Sequence, residues 1–188
     1  YPKDFDSLLY TSQILQAEAI KYGVEHWRRN RGRCMGAIYW QLNDCWPVAS
    51  WASIDSFGRW KALHYYAKKF FAPVLLSARE ESTTVELHVT NETMKPVKGV
   101  VKWALRDNRS GVLKEGSTQV EVAPLSASKC ESLDFRDILT GKETLRKTYL
   151  EYSLTVNGHT ISGGTVLFAK PKHFEFINPE IEADVEDA

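Results

Sequence analysis

"GAIYWQLNDCWPVASWASIDSFGRW", residues 36–60, is the stretch on which the reading of this chain turns. It opens inside an apolar run, Cys34 to Leu42, in which both alternating sets of residues are hydrophobic. That pattern predicts a strand over 34–42 buried on both faces, as in a parallel sheet. The run then empties into a polar segment carrying Trp40, Trp46, Trp51 and Trp60 with no regular period. A helix is predicted from about Arg59 to Phe71, with Trp60, Leu63, Ala67 and Phe70 on one stripe and Pro73 as its stop. Upstream, Asp6 or Ser7 is positioned to cap a helix running to about Arg29. Leu8, Leu15, Ala19 and Tyr22 fall on one face of it, and Gly32 ends it. Helix, strand, loop, helix is α/β chemistry, but one strand cannot make a sheet, so this half reads as incomplete.

The rest of the chain is of another kind. Residues 1–71 hold fifteen of the 22 aromatic residues, and the other 117 hold seven, which places a boundary near Ala72-Pro73. Beyond it, "TVELHVTN" alternates Val85, Leu87 and Val89 with polar neighbours, and "VVKWALRD" alternates Val101, Trp103 and Leu105. "NRSG" at 108–111 reads as a turn, followed by strands in "STQVEVAP" and "ASKCESLDF". In "YLEYSLTVNGHTISGGTVLF" the alternation of Leu150, Tyr152, Leu154 and Val156 runs into Asn157-Gly158, a dipeptide suited to a type I′ hairpin turn. About seven short strands in roughly 100 residues predict an immunoglobulin-like sandwich, with other antiparallel sandwiches as alternatives. The end, "FINPEIEADVEDA", carries five acidic and no basic residues after Pro179. It reads either as a solvated charge run or, from the alternation of Ile181, Ala183 and Val185, as the first strand of a further domain.

Composition removes several function classes. The 188 residues are 43% hydrophobic and 26% charged, with 24 basic and 24 acidic side chains. A balanced charge gives no footprint for nucleic acid, and no apolar run approaches the roughly 20 residues of a membrane span. The N-terminus lacks the basic and apolar regions of a signal peptide, so cytoplasm is favoured as compartment, and it lacks an initiator Met, as a fragment or processed chain would. Cys34, Cys45 and Cys130 read as three reduced thiols, and the five histidines have no metal-ligand spacing, so neither metal nor cofactor is expected. Asn91-Glu-Thr and Asn108-Arg-Ser are glycosylation sequons of consequence only in a secreted protein.

Ligands of α/β folds bind beyond the carboxyl ends of strands, where Trp40, Gln41, Asn43 and Asp44 fall. A ring, an amide and a carboxylate suit a sugar: the indole faces the C–H side of a pyranose and the polar groups take its hydroxyls. Each has a plainer reading, since Trp46, Trp51 and Trp60 read as packing residues and Asp44 could brace the loop. Hydrolysis with retention needs two carboxyl groups about 5–5.5 Å apart. Only Asp44 and Asp55 lie in the loop, and neither has an evident partner, so the segment is half a site.

These residues resemble a known family. "LLYTSQILQAEAIKYGVEHWRR", "CMGAIYWQLNDCWPVASWASIDSFGRWKALHYYAKKFFAPV" and "LFAKPKHF" look like the C-terminal portion of the β-mannosidases of glycoside hydrolase family 2. The resemblance implies a chain that is an α/β fragment, the last helix–strand–helix of a (β/α)8 barrel over residues 1–72, followed by an all-β immunoglobulin-like sandwich over 73–174. Residues 175–188 would be a tail or, as the resemblance favours, the start of a further sandwich. Residues 34–42 would be the eighth barrel strand. The implied activity is retaining exo-hydrolysis of terminal β-linked mannose, with both catalytic glutamates upstream of Tyr1 and none in this chain. Trp40 would line the subsite for the terminal sugar, with Asp44 and Asn43 as hydrogen-bonding neighbours. The implied partners are a β-mannoside oligosaccharide, the rest of the barrel and neighbouring sandwich domains. Alternatives are a related exo-β-glucosaminidase or endo-β-mannosidase, or a non-catalytic sandwich that binds carbohydrate or bridges domains. Residues 1–71 cut from a barrel would expose apolar surface, and are expected to pack on the sandwich, self-associate, or order only beside the missing barrel.

Overall fold

A computed structural model describes residues 2–182. It is mostly a β-sandwich, preceded by a helical part. Helix α1 spans Phe5–Arg29, with Asp4 rather than Asp6 or Ser7 as its cap, accepting from the Ser7 N–H at 2.7 Å. Gly32, at φ +100°, turns the chain out of the helix in a conformation that a side chain would oppose. Helix α2 spans Ala62–Phe70, starting three residues later than expected, so Trp60 precedes it. The two helices pack through Ala17, Val24, Leu63, Ala67 and Phe70, with Ala37 and Tyr39 against them.

Two expectations for this half are corrected. Residues 34–42 form no strand; the backbone makes only isolated bridges further on, Asn43 with Ile54 and Ile54 with Trp60. A strand exists only through neighbours about 4.8 Å away, and the described residues offer none here. Nor is the segment buried on both faces. Ala37 and Tyr39 are half-buried against the helices, whereas Ile38, Trp40 and Leu42 are exposed. The α1 face expected to pack is likewise exposed at Leu8, Leu15 and Tyr22, because the helix docks through Ala17, Ile20 and Val24 instead. Helix α1 thus carries a second, uncovered apolar face.

Seven antiparallel strands follow: β1 Val74–Glu81, β2 Thr84–Asn91, β3 Val97–Asp107, β4 Val112–Val122, β5 Ser126–Asp134, β6 Thr148–Val156 and β7 His159–Leu167. They form a three-stranded sheet, β1-β2-β5, and a four-stranded sheet, β4-β3-β6-β7. The inward residues of both sheets, including Leu76, Leu87, Val101, Leu105, Leu150 and Leu154, make one core. Trp103 packs edge-on to Phe135 at 5.9 Å between ring centroids, and Tyr152 is buried, so neither is a surface platform. Asn157 and Gly158 both take positive φ, 50° and 82°, as a type I′ turn requires. Short helix α3, Lys142–Lys147, leads into β6.

The helical part docks on the sandwich through the end of α1. Arg29 donates to the Ala78 carbonyl at 3.1 Å, Arg31 pairs with Glu92, and the Thr90 hydroxyl donates to the Arg28 carbonyl at 3.3 Å. At the other end, Glu175 is tied to α3 by its N–H on the Arg146 carbonyl and by Arg146 at 3.3 Å. Residues 177–182 have no regular structure, and the alternation at Ala183 and Val185 lies outside the described residues.

Candidate functional site

The loop after Trp40 is held by a chain of hydrogen bonds around the buried Ser53 rather than by regular structure. The N–H of Ser53 donates to the Gln41 carbonyl at 3.0 Å, that of Ile54 to Leu42 at 2.8 Å, and that of Asp44 to Ile54 at 3.0 Å. Ser53 is fully buried, and its hydroxyl lies 3.0 Å from the Leu42 carbonyl, 2.9 Å from Tyr39 Oη and 3.1 Å from His64 Nδ1. A hydroxyl has one proton to give. With that proton on the Leu42 carbonyl, Tyr39 and His64 donate to Ser53, which puts the His64 proton on Nδ1. Helix α1 adds a tie from Gln16 Nε2 to the Trp51 carbonyl at 2.8 Å.

Asp44 is 7% exposed and both its oxygens are engaged: Oδ1 accepts from Ser50 Oγ at 2.7 Å and Oδ2 from Lys61 Nζ at 3.1 Å. The Ser50 hydroxyl first, and Lys61 after it, hold its carboxyl below the usual carboxylate range against the opposing cost of burial. Burial likewise opposes ionisation of Asp55. Its carboxylate accepts from the N–H groups of Phe57 and Arg59 at 2.9 Å each and from Arg59 Nε at 2.6 Å, which keeps it below that range too. Both acids are therefore occupied as braces, and neither is free to act as nucleophile or proton donor.

Trp40 and Asn43, by contrast, face outward. Trp40 is 72% exposed, and the Trp40–Gln41 peptide is cis. Asn43 is exposed and its amide only grazes the Asp44 carbonyl at 3.3 Å. Of the three sequence-expected residues, the structure leaves two open to a ligand and buries the third beneath them. Trp46 and Trp51 do not pack the loop as expected; both stand exposed. Trp60 meets His64 and Tyr65 edge-on, at 4.3 and 5.1 Å between ring centroids. Sequence reasoning did not single out Lys61, Ser50, Ser53 or His64. Lys61 and His64 stand in the "GRWKALHY" run, but nothing local says that Lys61 meets an acid 17 positions earlier. Chemically, the arrangement offers a stacking plane and an amide on a rigid base.

The comparisons with known proteins fit this architecture. A family profile described as the Mannosidase Ig/CBM-like domain matches residues 83–173. The chain is 47% identical to a β-mannosidase of Capra hircus over 78 residues, 38% of this chain and 9% of that protein. It is 30% identical to β-mannosidase A of Emericella nidulans over 205 aligned residues, 95% of this chain and 21% of that protein. The crystal structure of a β-D-mannosidase from Dictyoglomus thermophilum superimposes on 95% of this chain and 22% of that one, at TM-score 0.86 and 26% identity. The chain thus spans about a fifth or less of the relatives it matches. Residues 83–173 carry the Mannosidase Ig/CBM-like domain, and nearly the whole chain is similar to one stretch of these β-mannosidases.

Proposed function

We propose that this chain supplies one wall of the terminal-sugar subsite of a retaining exo-β-mannosidase, with Trp40 as the plane on which the sugar ring stacks. Asn43 lies beside it as a hydrogen-bonding neighbour. Asp44, expected to share that role, acts from beneath, because its two oxygens are already bonded to Ser50 and Lys61. The single observation that carries the proposal is an indole 72% exposed on a loop pinned at its base by the buried Ser53. An exposed ring on a rigid support is what stacking against the apolar face of a pyranose needs.

Residues 1–72 are read as the closing helix–strand–helix of a (β/α)8 barrel, 73–174 as the sandwich that follows, and 175–188 as the lead into a further sandwich. Two observations support this. Residues 36–42 alternate between a face on the helices and a bare face, as a barrel strand with absent neighbours would. Helix α1 keeps an uncovered apolar face that adjoining barrel elements would bury. The catalytic carboxyl pair belongs to the part of the polypeptide outside this chain, since Asp44 and Asp55 are both occupied. The partners are then the remaining barrel and the β-mannoside that it holds.

The test is hydrolysis of 4-nitrophenyl β-mannoside by the full-length polypeptide and by residues 1–188 alone, with product anomers followed by NMR. Turnover with retention by the first and none by the second is the expected outcome. Turnover by the isolated chain would show that its catalytic groups have been misassigned.

A further inference from the structure

Among the described residues the Trp40 side chain has no hydrogen-bond partner that fixes its direction, so its aim is inherited from the backbone beneath it. That backbone is held at successive residues: Gln41 and Leu42 through their carbonyls, Asp44 through its N–H. Every one of those bonds leads to the 53–54 segment. Lys61 closes the arrangement from both ends. Its N–H donates to the Ser53 carbonyl at 2.9 Å, and its ammonium reaches Asp44 Oδ2 at 3.1 Å and Ser50 Oγ at 3.5 Å. The Lys61 and Asp44 side chains are only 15% and 4% exposed, so this is a largely desolvated pair. Removing one partner of such a pair leaves a buried charge without compensation, which is relieved by protonation of a stranded Asp44, by deprotonation of a stranded Lys61, or by opening of the loop.

We infer that Lys61, acting through Asp44 and Ser50, is a positioning residue that sets where Trp40 and Asn43 stand in the sugar subsite. The inference rests on the functional reading above. Lys61 itself touches no substrate; its ammonium points into the base of the loop. Asp44, Ser50 and Lys61 form one unit, so loss of any member should have the same consequence as loss of two. Displacement of a substrate-positioning group by about 1 Å is enough to cost on the order of 100-fold in rate.

The experiment uses the full-length polypeptide and 4-nitrophenyl β-mannoside, with steady-state constants normalised to titrated active sites and thermal midpoints measured in parallel. The variants are Lys61→Met, Asp44→Asn, the double variant, Lys61→Arg and Trp40→Ala. We expect Lys61→Met and Asp44→Asn each to raise KM and lower kcat/KM by at least about tenfold per active site. The double variant should be no worse than the poorer single one, and Lys61→Arg should retain kcat/KM within about threefold. A merely structural role would lower the thermal midpoint and the number of active sites while leaving KM per site unchanged. That result, or a double variant in which the two losses multiply, overturns the inference while Trp40→Ala remains impaired. A wild-type protein without turnover, or an unimpaired Trp40→Ala, overturns the functional reading, and this inference with it.

Discussion

Glu25 offers a quantitative test of how the helical part and the sandwich are joined. It lies on α1 where the helix meets β1, is 8% exposed, and has its nearest cation, Arg29, at 3.7 Å. Arg29 spends one N–H on the Ala78 carbonyl, so it does not compensate the carboxylate fully. Lys21 favours the ionised form, and Glu18 on α1 and Glu80 on β1 oppose it; Tyr152 of the second sheet lies within the same field. Burial dominates and raises the carboxyl from 4.5 to about 7. A folded-state value above the unfolded one means that the native state holds its proton more tightly. The stabilisation is complete below the unfolded value, near 4.5, and is lost as pH rises through about 7. At about 1.4 kcal/mol per pH unit, that interval corresponds to about 3 kcal/mol. Glu25→Gln keeps the shape and removes the charge. Urea unfolding of residues 1–188 followed by circular dichroism should therefore give similar stabilities for wild type and variant near pH 4.5. By pH 8 the variant should be the more stable, by about 3 kcal/mol. Parallel pH profiles for the two proteins would refute the reasoning, because they would place the carboxylate in water.

Further outcomes follow from the sandwich. Asn91 is fully buried, with Nδ2 donating to the carbonyls of Lys95, Val122 and Ala123 and Oδ1 accepting from Thr93. Asn91→Ala should cost about 2–4 kcal/mol in denaturant unfolding, since several buried groups lose their partner. A glycan on Asn91 would be incompatible with that burial, so the folded protein expressed through a secretory pathway should carry none there by mass spectrometry. Gly116 faces the Trp103 ring so closely that an added Cβ would lie 2.6 Å from it. Gly116→Ala should therefore lower stability by roughly 1–3 kcal/mol, and Trp103 fluorescence should report a displaced ring. Gly158→Ala places a side chain at φ 82° and should cost about 1 kcal/mol, read as a lower thermal midpoint.

The sandwich was legible in the sequence wherever one strand face met the core and the other met water. Alternation gave β2 to its ends and placed β3, β5, β6 and β7 within three residues, whereas β4 begins at Val112, five residues before the expected stretch, and the Asn157-Gly158 turn followed from local backbone chemistry alone. Strand β1 lacked that signal: Val74, Leu75 and Leu76 run together before "SAREE", because the strand passes from deep burial to solvent along its length. In the helical part, apolar content predicted burial that is not present. Leu15, Tyr22 and Ile38 read as core, yet burial depends on neighbouring elements that one extended segment and two helices do not supply. The candidate site divided in the same way. An exposed Trp40 could be anticipated from its place at the end of an apolar run. The Asp44–Lys61 pair could not, since a contact spanning 17 residues leaves no local pattern.

Trp40→Ala measures the central claim most directly. At 72% exposure in this chain the indole contributes little to its fold, so the substitution should leave the unfolding of residues 1–188 unchanged within about 0.5 kcal/mol. On the proposed reading, the same change in the full-length polypeptide removes the surface on which the sugar ring lies. Burying an aromatic face is worth about 1.5–3 kcal/mol, which predicts a fall in kcat/KM for 4-nitrophenyl β-mannoside of roughly 10- to 150-fold. A fully active Trp40→Ala enzyme would contradict the account, because the exposed ring would then stand outside the subsite.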